Sequence, residues 1–289
     1  MPSVCEPASV EEAAEVVRAG GTVSIERDGG ETVLSTRRLA RILEHEPGDL
    51  TCIVEAGLRL SELQAALAPH RQFLALDPPG DPTLGACLAG DLSGPRRHRY
   101  GAMRDLVIGV TVVLADGTVA SSGGRVVKNV AGYDLGKLFS GSRGRLGLVA
   151  RLALRLHPRP AAEATVVAET DDPRGWWGGF RRSQLEPSAV DFLPPSRFAL
   201  LYEGGEAAIE DQVAGTLHLC HGVRHRDEIW TESSRLQHAA AGRARFDWQE
   251  CLLARPGPGI AYVEGEVDRS WSPLAERVRA AFDPEGRLC

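Results

Sequence analysis

The chain has 289 residues, of which 43% are hydrophobic and 25% are charged, as in an ordinary soluble globular protein. Its formal net charge of −6 argues against nucleic-acid binding through bulk electrostatics. No apolar run approaches the length of a membrane span, and the first residues lack the basic start and apolar core of a secretory signal. The six cysteines are scattered without a C-x-x-C pair, so we expect free thiols in a cytoplasmic protein.

The first third of the chain predicts short helices that alternate with strands. Ser9 and Glu12 have capping-box spacing and predict a first helix that Gly20 closes. Ser61 and Gln64 repeat the pattern and predict a second helix. Strands are predicted at 22–25, 50–57 and 72–76.

A long stretch rich in glycine and proline follows, "DPPGDPTLGACLAGDLSGP", in which Asp81-Pro82 predicts a helix start. The next residues, "DLVIGVTVVLADGTVASS", predict two strands joined at Asp116-Gly117, which is a strong hairpin signal. From Leu146 to His157 apolar residues alternate with others, and this period of two predicts a strand with one buried face.

Residues 123–147, "GGRVVKNVAGYDLGKLFSGSRGRLG", match neither common phosphate loop. A Walker loop needs four residues between its first glycine and G-K-[S/T], whereas Gly132 and Gly136-Lys137 leave only three. "GSRGRLG" precedes a strand, whereas a Rossmann loop precedes a helix. Two interpretations stay open: a backbone surface for a large planar or phosphorylated ligand, and tight turns alone.

Prolines in "HPRPAAE", residues 157–163, predict a domain boundary because they interrupt both strands and helices. We therefore expect one domain at 1–160 and a second at 161–289. The second shows shorter strands and helices, and Pro273 is expected to open a last amphipathic helix.

Three stretches in order carry a resemblance to a known family. They are "DPPGDPTLGACLAGDLSGPRRHRYGAMRDLVIGVTVVLADG", "KNVAGYDLGKLFSGSRGRLGLVARLALRLHPRP" and the closing "AFDPEGRL". They resemble the vanillyl-alcohol-oxidase, or PCMH, type of FAD-binding domain. Within that superfamily, "LSGPRR", "YGAMRD" and "GGRVVKNVAGYDL" are most similar to the FAD-binding E subunits of bacterial glycolate oxidase. The resemblance implies an α+β fold: an FAD-binding domain of two α+β subdomains, then a shortened α+β cap domain and a C-terminal helix.

In proteins of this kind FAD lies extended between the two subdomains. The resemblance implies that backbone N–H groups of a first loop contact the pyrophosphate and the flavin. It also implies that a second segment continues this binding surface and that a third segment lies along the ribityl and adenosine side of FAD. The implied cofactor-binding residues are Thr83, Leu84, Gly85, Ala86 and Cys87, then Gly90, Ser93 and Gly94, then Gly141, Ser142, Gly144, Gly147, Leu148 and Val149. No catalytic residue is identified, and no metal site is predicted.

The sequence departs from the family in its first glycine-rich loop. Only residues 27–30 remain before the "LST" of the next strand, and Asp28 places a negative charge beside the expected pyrophosphate. Ala86 stands where a second glycine is usual. The sequence is therefore compatible with two alternatives, weak FAD binding and complete loss of FAD binding.

A second departure concerns the substrate. Val127 and Ala131 stand where hydroxy-acid dehydrogenases similar to this sequence carry an arginine and a threonine that hold the substrate carboxylate. An aliphatic side chain cannot donate to a carboxylate. We therefore expect residues 128–134 to order the loop, with Tyr133 as a buried hydroxyl and Asp134 as a turn cap.

Three further groups of residues admit two interpretations each. The basic run at 96–99 is expected to be a solvated loop, rather than a partner contact or a screen for phosphate. Trp176 and Trp177 are expected to anchor the core of the second domain, rather than to face a partner. The cluster of His218, Cys220, His221 and His225 could bind zinc or copper, but its spacing matches no familiar site.

These observations favour an FAD-dependent oxidoreductase subunit that transfers electrons within a glycolate oxidase-like complex. The resemblance implies a catalytic flavin subunit and an iron–sulfur subunit as partners, and peripheral membrane association only through them. The missing carboxylate-binding residues argue that this chain does not itself oxidise the hydroxy acid. A flavin-poor structural subunit of the same complex and a stand-alone FAD-dependent oxidoreductase remain as alternatives.

Overall fold

The computed structural model describes residues 2–26, 30–124, 134–219, 221–225, 228–248, 251–265, 267 and 272–289, and of 221–225 only the backbone. It confirms the expected α+β fold, with four sheets among these residues. No helix in this part of the chain is long and apolar enough to cross a membrane.

The first half of the chain builds three of the sheets. Its strands are Ser3–Cys5 (β1), Val23–Ile25 (β2), Thr32–Leu34 (β3), Ile42–Glu46 (β4), Thr51–Glu55 (β5), Gln72–Phe73 (β6), Val107–Val113 (β7), Val119–Gly123 (β8), Leu148–Arg155 (β9) and His157–Pro158 (β10). A small parallel sheet has the order β1-β3-β2, an antiparallel sheet has the order β4-β5-β9-β7-β8, and β6 pairs with β10.

Helices cover both faces of the five-stranded sheet. The helices of the first half are Val10–Arg18 (α1), Leu60–Leu67 (α2), Leu84–Gly90 (α3), Arg97–Tyr100 (α4), Met103–Leu106 (α5) and Leu135–Phe139 (α6). α1 packs between the three-stranded and the five-stranded sheet, while α2, α3, α5 and α6 pack on the opposite face of the five-stranded sheet. The expectation of one buried face for β9 is therefore wrong: along this central strand only Arg151 and Arg155 are not buried.

The second half forms one seven-stranded sheet with helices. Its strands are Ala162–Glu169 (β11), Ala189–Leu193 (β12), Arg197–Gly204 (β13), His221–His225 (β14), Gly242–Arg245 (β15), Leu253–Arg255 (β16) and Ile260–Val263 (β17). Its helices are Pro173–Phe180 (α7), Glu206–Leu219 (α8), Glu228–Ala239 (α9) and Pro273–Phe282 (α10). The sheet order is β14-β11-β13-β12-β16-β17-β15. The predicted domain division at residue 160 falls between β10 and β11, which lie in different sheets; the division itself stays a prediction.

Aromatic side chains hold the core of the second half, as expected for the tryptophan pair. Trp177 is buried, and Trp176 lies 4.4 Å from Phe198 of β13 between ring centroids. α10 then returns to the first half, where Phe282 meets Phe139 edge-on and Leu288 pairs with Val23 beside β2.

Local capping is only partly as predicted. Ser9 accepts the Glu12 N–H at 3.1 Å, which confirms the first cap. The second helix begins two residues earlier than its capping pattern suggests, and Ser61 instead donates its hydroxyl to Asp81. Because the Asp81 carboxylate is already engaged there, the predicted helix start at Asp81-Pro82 is wrong, and Thr83 caps α3.

Candidate cofactor site

The first predicted cofactor segment, residues 83–87, forms the start of α3. Thr83 Oγ1 accepts the Ala86 N–H at 3.2 Å. The other N–H groups also donate within the protein: Leu84 to Leu58 at 2.9 Å, Gly85 to Ala56 at 2.7 Å and Cys87 to Thr83 at 2.9 Å. These groups fix the start of α3 against the turn between β5 and α2, so a contact with FAD through them would have to replace an internal hydrogen bond.

Most of the predicted glycines approach protein atoms closely. A side chain would collide with Ala56 at Gly85, with Asp77 at Gly94 and with Val113 at Gly147, and at Gly144 it would lie tightly against Ile25. Close packing of the chain on itself therefore accounts for these glycines. Gly141 differs, because the nearest atom to its missing side chain is the Cβ of Asp91, at 3.9 Å.

The structure joins the second and third predicted segments. The Gly141 N–H donates to the carbonyl of Leu88 at 3.0 Å, and the Arg143 N–H donates to Ala89 at 2.9 Å. Gly90 and Ser142 therefore lie in adjoining segments, at the end of α3 opposite to Thr83. Leu148 and Val149 lie further along, buried in β9.

Two buried polar atoms in these adjoining segments lack a hydrogen-bond partner in the described part of the chain. They are Asp91 Oδ1, which can only accept unless protonated, and the Ser142 hydroxyl. An unsatisfied buried polar atom is costly, and native structures contain few of them. The residues present therefore fit a ligand that carries hydroxyl and N–H groups, as FAD does.

A cleft of about 390 Å³ opens beside the same segments. Gly141 and Ser142 line it from one side, and Leu274 and Val278 of α10 line it from the other. Leu274 is exposed, so the cleft presents an apolar side chain to solvent beside these serine residues.

The basic run at 96–99 is not the solvated loop that the sequence predicts. Arg96 donates to Glu203 Oε1 of β13 at 3.0 Å through Nε and at 2.8 Å through Nη2, and its Nη1 lies 3.6 Å from Asp77 Oδ2. Tyr100 donates to the other oxygen of Glu203 at 3.2 Å. The prediction fails because the partner carboxylate lies 107 residues away in sequence.

Burial shifts the acid–base behaviour of this cluster. It raises the pKa of Asp77 to about 6, although Arg96 and Arg255 act to lower it. Burial lowers the pKa of His98 and raises that of Tyr262.

Side chains from the second half contact residues 90–94, which we call the 90–94 loop. Arg243 of β15 donates to the carbonyl of Asp91 at 2.7 Å and to its carboxylate at 3.2 Å. Gln237 and Arg255 donate to the carbonyl of Ser93 at 2.8 and 3.2 Å. No sequence signal marks Gln237, Arg243 or Arg255, because each acts on a segment more than 140 residues away.

Arg255 is a fully buried cation in this contact. Its Nε donates to Asp191 at 3.0 Å, Nη2 donates to Gln237 at 2.6 Å, and Nη1 also donates to the Tyr262 hydroxyl. Burial acts to lower its pKa, but Asp191, Tyr262 and Asp77 together outweigh burial, so the pKa is raised and the group stays charged.

Several predicted positions lie outside the described residues: Arg27, Asp28 and Gly29 of the shortened loop, Val127, Ala131 and Tyr133, Cys220, and the side chains of His221 and His225. Asp134 is described and caps α6 by accepting the Lys137 N–H, as predicted. No group of three metal-binding side chains occurs among the described residues. The five cysteines in that part of the chain are free thiols.

Residues 3–123 match the family described as FAD binding domain. This part of the chain is therefore similar to FAD-binding domains. FAD is accordingly its cofactor. The matched residues include the first two predicted segments, at Thr83–Cys87 and in the 90–94 loop.

The curated relatives that this chain matches include two glycolate oxidase subunits and a D-lactate dehydrogenase. The chain is 36% identical to glycolate oxidase subunit GlcE of Escherichia coli over 174 residues, covering 58% of this chain and 49% of the relative. It is 37% identical to glycolate oxidase subunit GlcD of Bacillus subtilis over 151 residues, covering 52% and 32%. It is 31% identical to D-lactate dehydrogenase [cytochrome] 1, mitochondrial, of Saccharomyces cerevisiae over 173 residues, covering 59% and 30%.

Among solved structures, an alkyldihydroxyacetonephosphate synthase has the same fold, with a TM-score of 0.65 and 18% sequence identity. That likeness covers 80% of this chain and 53% of the synthase. The chain thus spans about half or less of the length of the curated relatives and the solved structure that it matches.

Proposed function

We propose that this protein is the FAD-binding electron-transfer subunit of a glycolate oxidase-like complex. It would be an FAD-dependent oxidoreductase as part of that complex. The observation that carries the proposal is the FAD-binding domain together with 36% identity to a glycolate oxidase E subunit. Bound FAD supplies the redox chemistry, and the residues of this chain bind and orient it.

The arrangement of arginines supports a role other than hydroxy-acid oxidation. A hydroxy-acid substrate needs a cation that is free to pair with its carboxylate. Around the 90–94 loop the arginines are already engaged with carboxylates of the protein: Arg97 and Arg243 with Asp91, Arg255 with Asp191, and Arg96 with Glu203. The aliphatic side chains at 127 and 131 agree with this interpretation.

The proposal includes a catalytic flavin subunit and an iron–sulfur subunit as partners. FAD in this chain would then carry electrons between them, and any membrane association would come through the partners. We also propose that residues 1–160 and 161–289 are two domains, since their strands belong to separate sheets.

A flavin-poor structural subunit of the same complex is the second candidate. It is favoured by the shortened first loop and by the internal hydrogen bonds of the N–H groups at 84–87. The visible absorption spectrum of the purified chain separates the two candidates. A stoichiometric flavin band supports the electron-transfer subunit, whereas a colourless protein that takes up no added FAD contradicts it.

The third candidate, a stand-alone oxidoreductase of another alcohol or an aldonolactone, predicts dye reduction by the isolated chain with an alcohol substrate. With glycolate as substrate we expect no reduction by this chain alone, and reduction once partner subunits are added. Rapid dye reduction by the isolated, FAD-loaded chain with glycolate would contradict the proposal that another subunit oxidises the hydroxy acid.

A further inference from the structure

We infer that the second half of the chain forms part of the cofactor site, because Arg243, Gln237 and Arg255 position the 90–94 loop. The inference rests on the proposal that this loop contacts FAD. The match to the FAD binding domain family ends at residue 123, so these three residues lie well beyond it.

Arg243 holds the loop through its forked guanidinium group. Nη1 donates to the carbonyl and the carboxylate of Asp91, at 2.7 and 3.2 Å, and Nη2 lies 3.3 Å from the carbonyl of Gly90. A lysine has a single ammonium group and cannot span these acceptors in the same way. The contact therefore depends on the shape of arginine as well as on its charge.

Gln237 and Arg255 hold the next residues of the loop. Both donate to the carbonyl of Ser93, and the Gln237 side-chain oxygen accepts from Arg255 Nη2 at 2.6 Å. Asp191 neutralises Arg255, so the buried cation reaches the loop without being left unpaired. One polar network thus connects the sheet of the second half to the backbone of the first.

The backbone of the loop needs such support. Asp91 lies in the left-handed region, with φ of 47°, where residues with a side chain are uncommon. Conformations of this kind persist when the surrounding structure determines them. Arg97 and Arg243 both pair with Asp91 Oδ2, and Arg243 also pairs with the carbonyl of the same residue. The position of the loop, and with it the affinity for FAD, therefore depends on the second half.

The test compares full-length variants at Arg243 with a matched control. The control, Arg197→Gln, removes the ion pair between Arg197 and Glu232, which is also in the second half. The side chains of Arg243 and Arg197 are similarly exposed, at 34% and 33%. The dissociation constant for FAD is measured by quenching of flavin fluorescence. We expect Arg243→Gln and Arg243→Lys to weaken FAD binding about tenfold, because hydrogen bonds from a charged group are lost. Arg197→Gln should stay near the wild-type value.

Hydrogen exchange at the amides of residues 90–94 provides a readout that does not require FAD. Arg243→Gln should accelerate exchange there, and Arg197→Gln should not. Equal FAD affinities in the Arg243→Gln and Arg197→Gln variants would overturn the inference, as would unchanged exchange in the loop. Full recovery of affinity by Arg243→Lys would refute the role of the forked geometry.

The two readouts also separate this inference from the proposed function. A wild-type protein that takes up no FAD would contradict the proposed function. The exchange measurement would still decide whether Arg243 positions the loop.

Discussion

Replacing Asp77 by asparagine should stabilise the protein at neutral pH. Asp77 lies beside Arg96, where burial raises its pKa from 3.8 to about 6. A carboxyl group with a raised pKa in the folded state makes folding less favourable once it ionises. The cost is absent below the unfolded pKa near 4 and is complete above the folded pKa near 6.

The magnitude follows from the size of this shift. Roughly two pKa units correspond to about 3 kcal/mol at most. The Asp77 side chain keeps 22% of its surface exposed, so we expect about 1 to 3 kcal/mol. Asparagine keeps an oxygen that can accept the Arg96 backbone N–H, which Asp77 now accepts at 3.2 Å.

The assay is urea unfolding of wild type and Asp77→Asn at several pH values between 4.5 and 8. The stability difference should favour the variant, grow as pH rises from 4.5 to about 6, and level off above that pH. Glu232→Gln provides a control of opposite sign, because the hydrogen bond from Arg197 lowers the pKa of Glu232. That variant should be slightly less stable at neutral pH and should approach wild type in acid. A variant Asp77→Asn that is less stable than wild type at pH 7.5, or a difference that does not change with pH, would refute the reasoning.

Three further predictions concern the core and the thiols. Asp191→Ala leaves Arg255 as an uncompensated buried charge and should cost about 3 to 5 kcal/mol in the free energy of unfolding by urea; a loss under about 1 kcal/mol would show that the pair is dispensable. Trp177→Ala should cost about 3 to 5 kcal/mol by the same measurement, since the ring is buried against the core of the second half; little change would contradict that packing. In the native protein, a thiol reagent should modify the exposed Cys289 and spare Cys52 and Cys87, whose pKa values burial raises to about 12; rapid labelling of either, mapped by mass spectrometry, would contradict their burial.

Local signals in the sequence predicted much of the first half. The hairpin at Asp116-Gly117 forms between β7 and β8 as expected, because a short turn needs only its own residues. The caps at Ser9 and Asp134 also form for this reason. The helix start at Asp81 failed, since a partner twenty residues earlier, Ser61, engages its carboxylate.

The candidate site was less predictable, because its polar contacts join distant parts of the chain. The basic run at 96–99 carries no mark of Glu203, and nothing near Asp91 indicates Arg243. The glycines that resemble a cofactor surface serve largely to let the chain pack on itself, as at Gly147 against Val113. A motif can therefore identify the FAD binding domain without showing which atoms of the motif meet FAD.

We propose that this chain binds FAD but does not itself oxidise the hydroxy acid. The most direct test is the absorption spectrum of the purified, FAD-loaded chain before and after anaerobic addition of glycolate. We predict a stoichiometric oxidised flavin band that glycolate does not bleach until a catalytic flavin subunit is added. Bleaching by glycolate in the isolated chain, or the absence of any flavin band after incubation with FAD, would contradict the account.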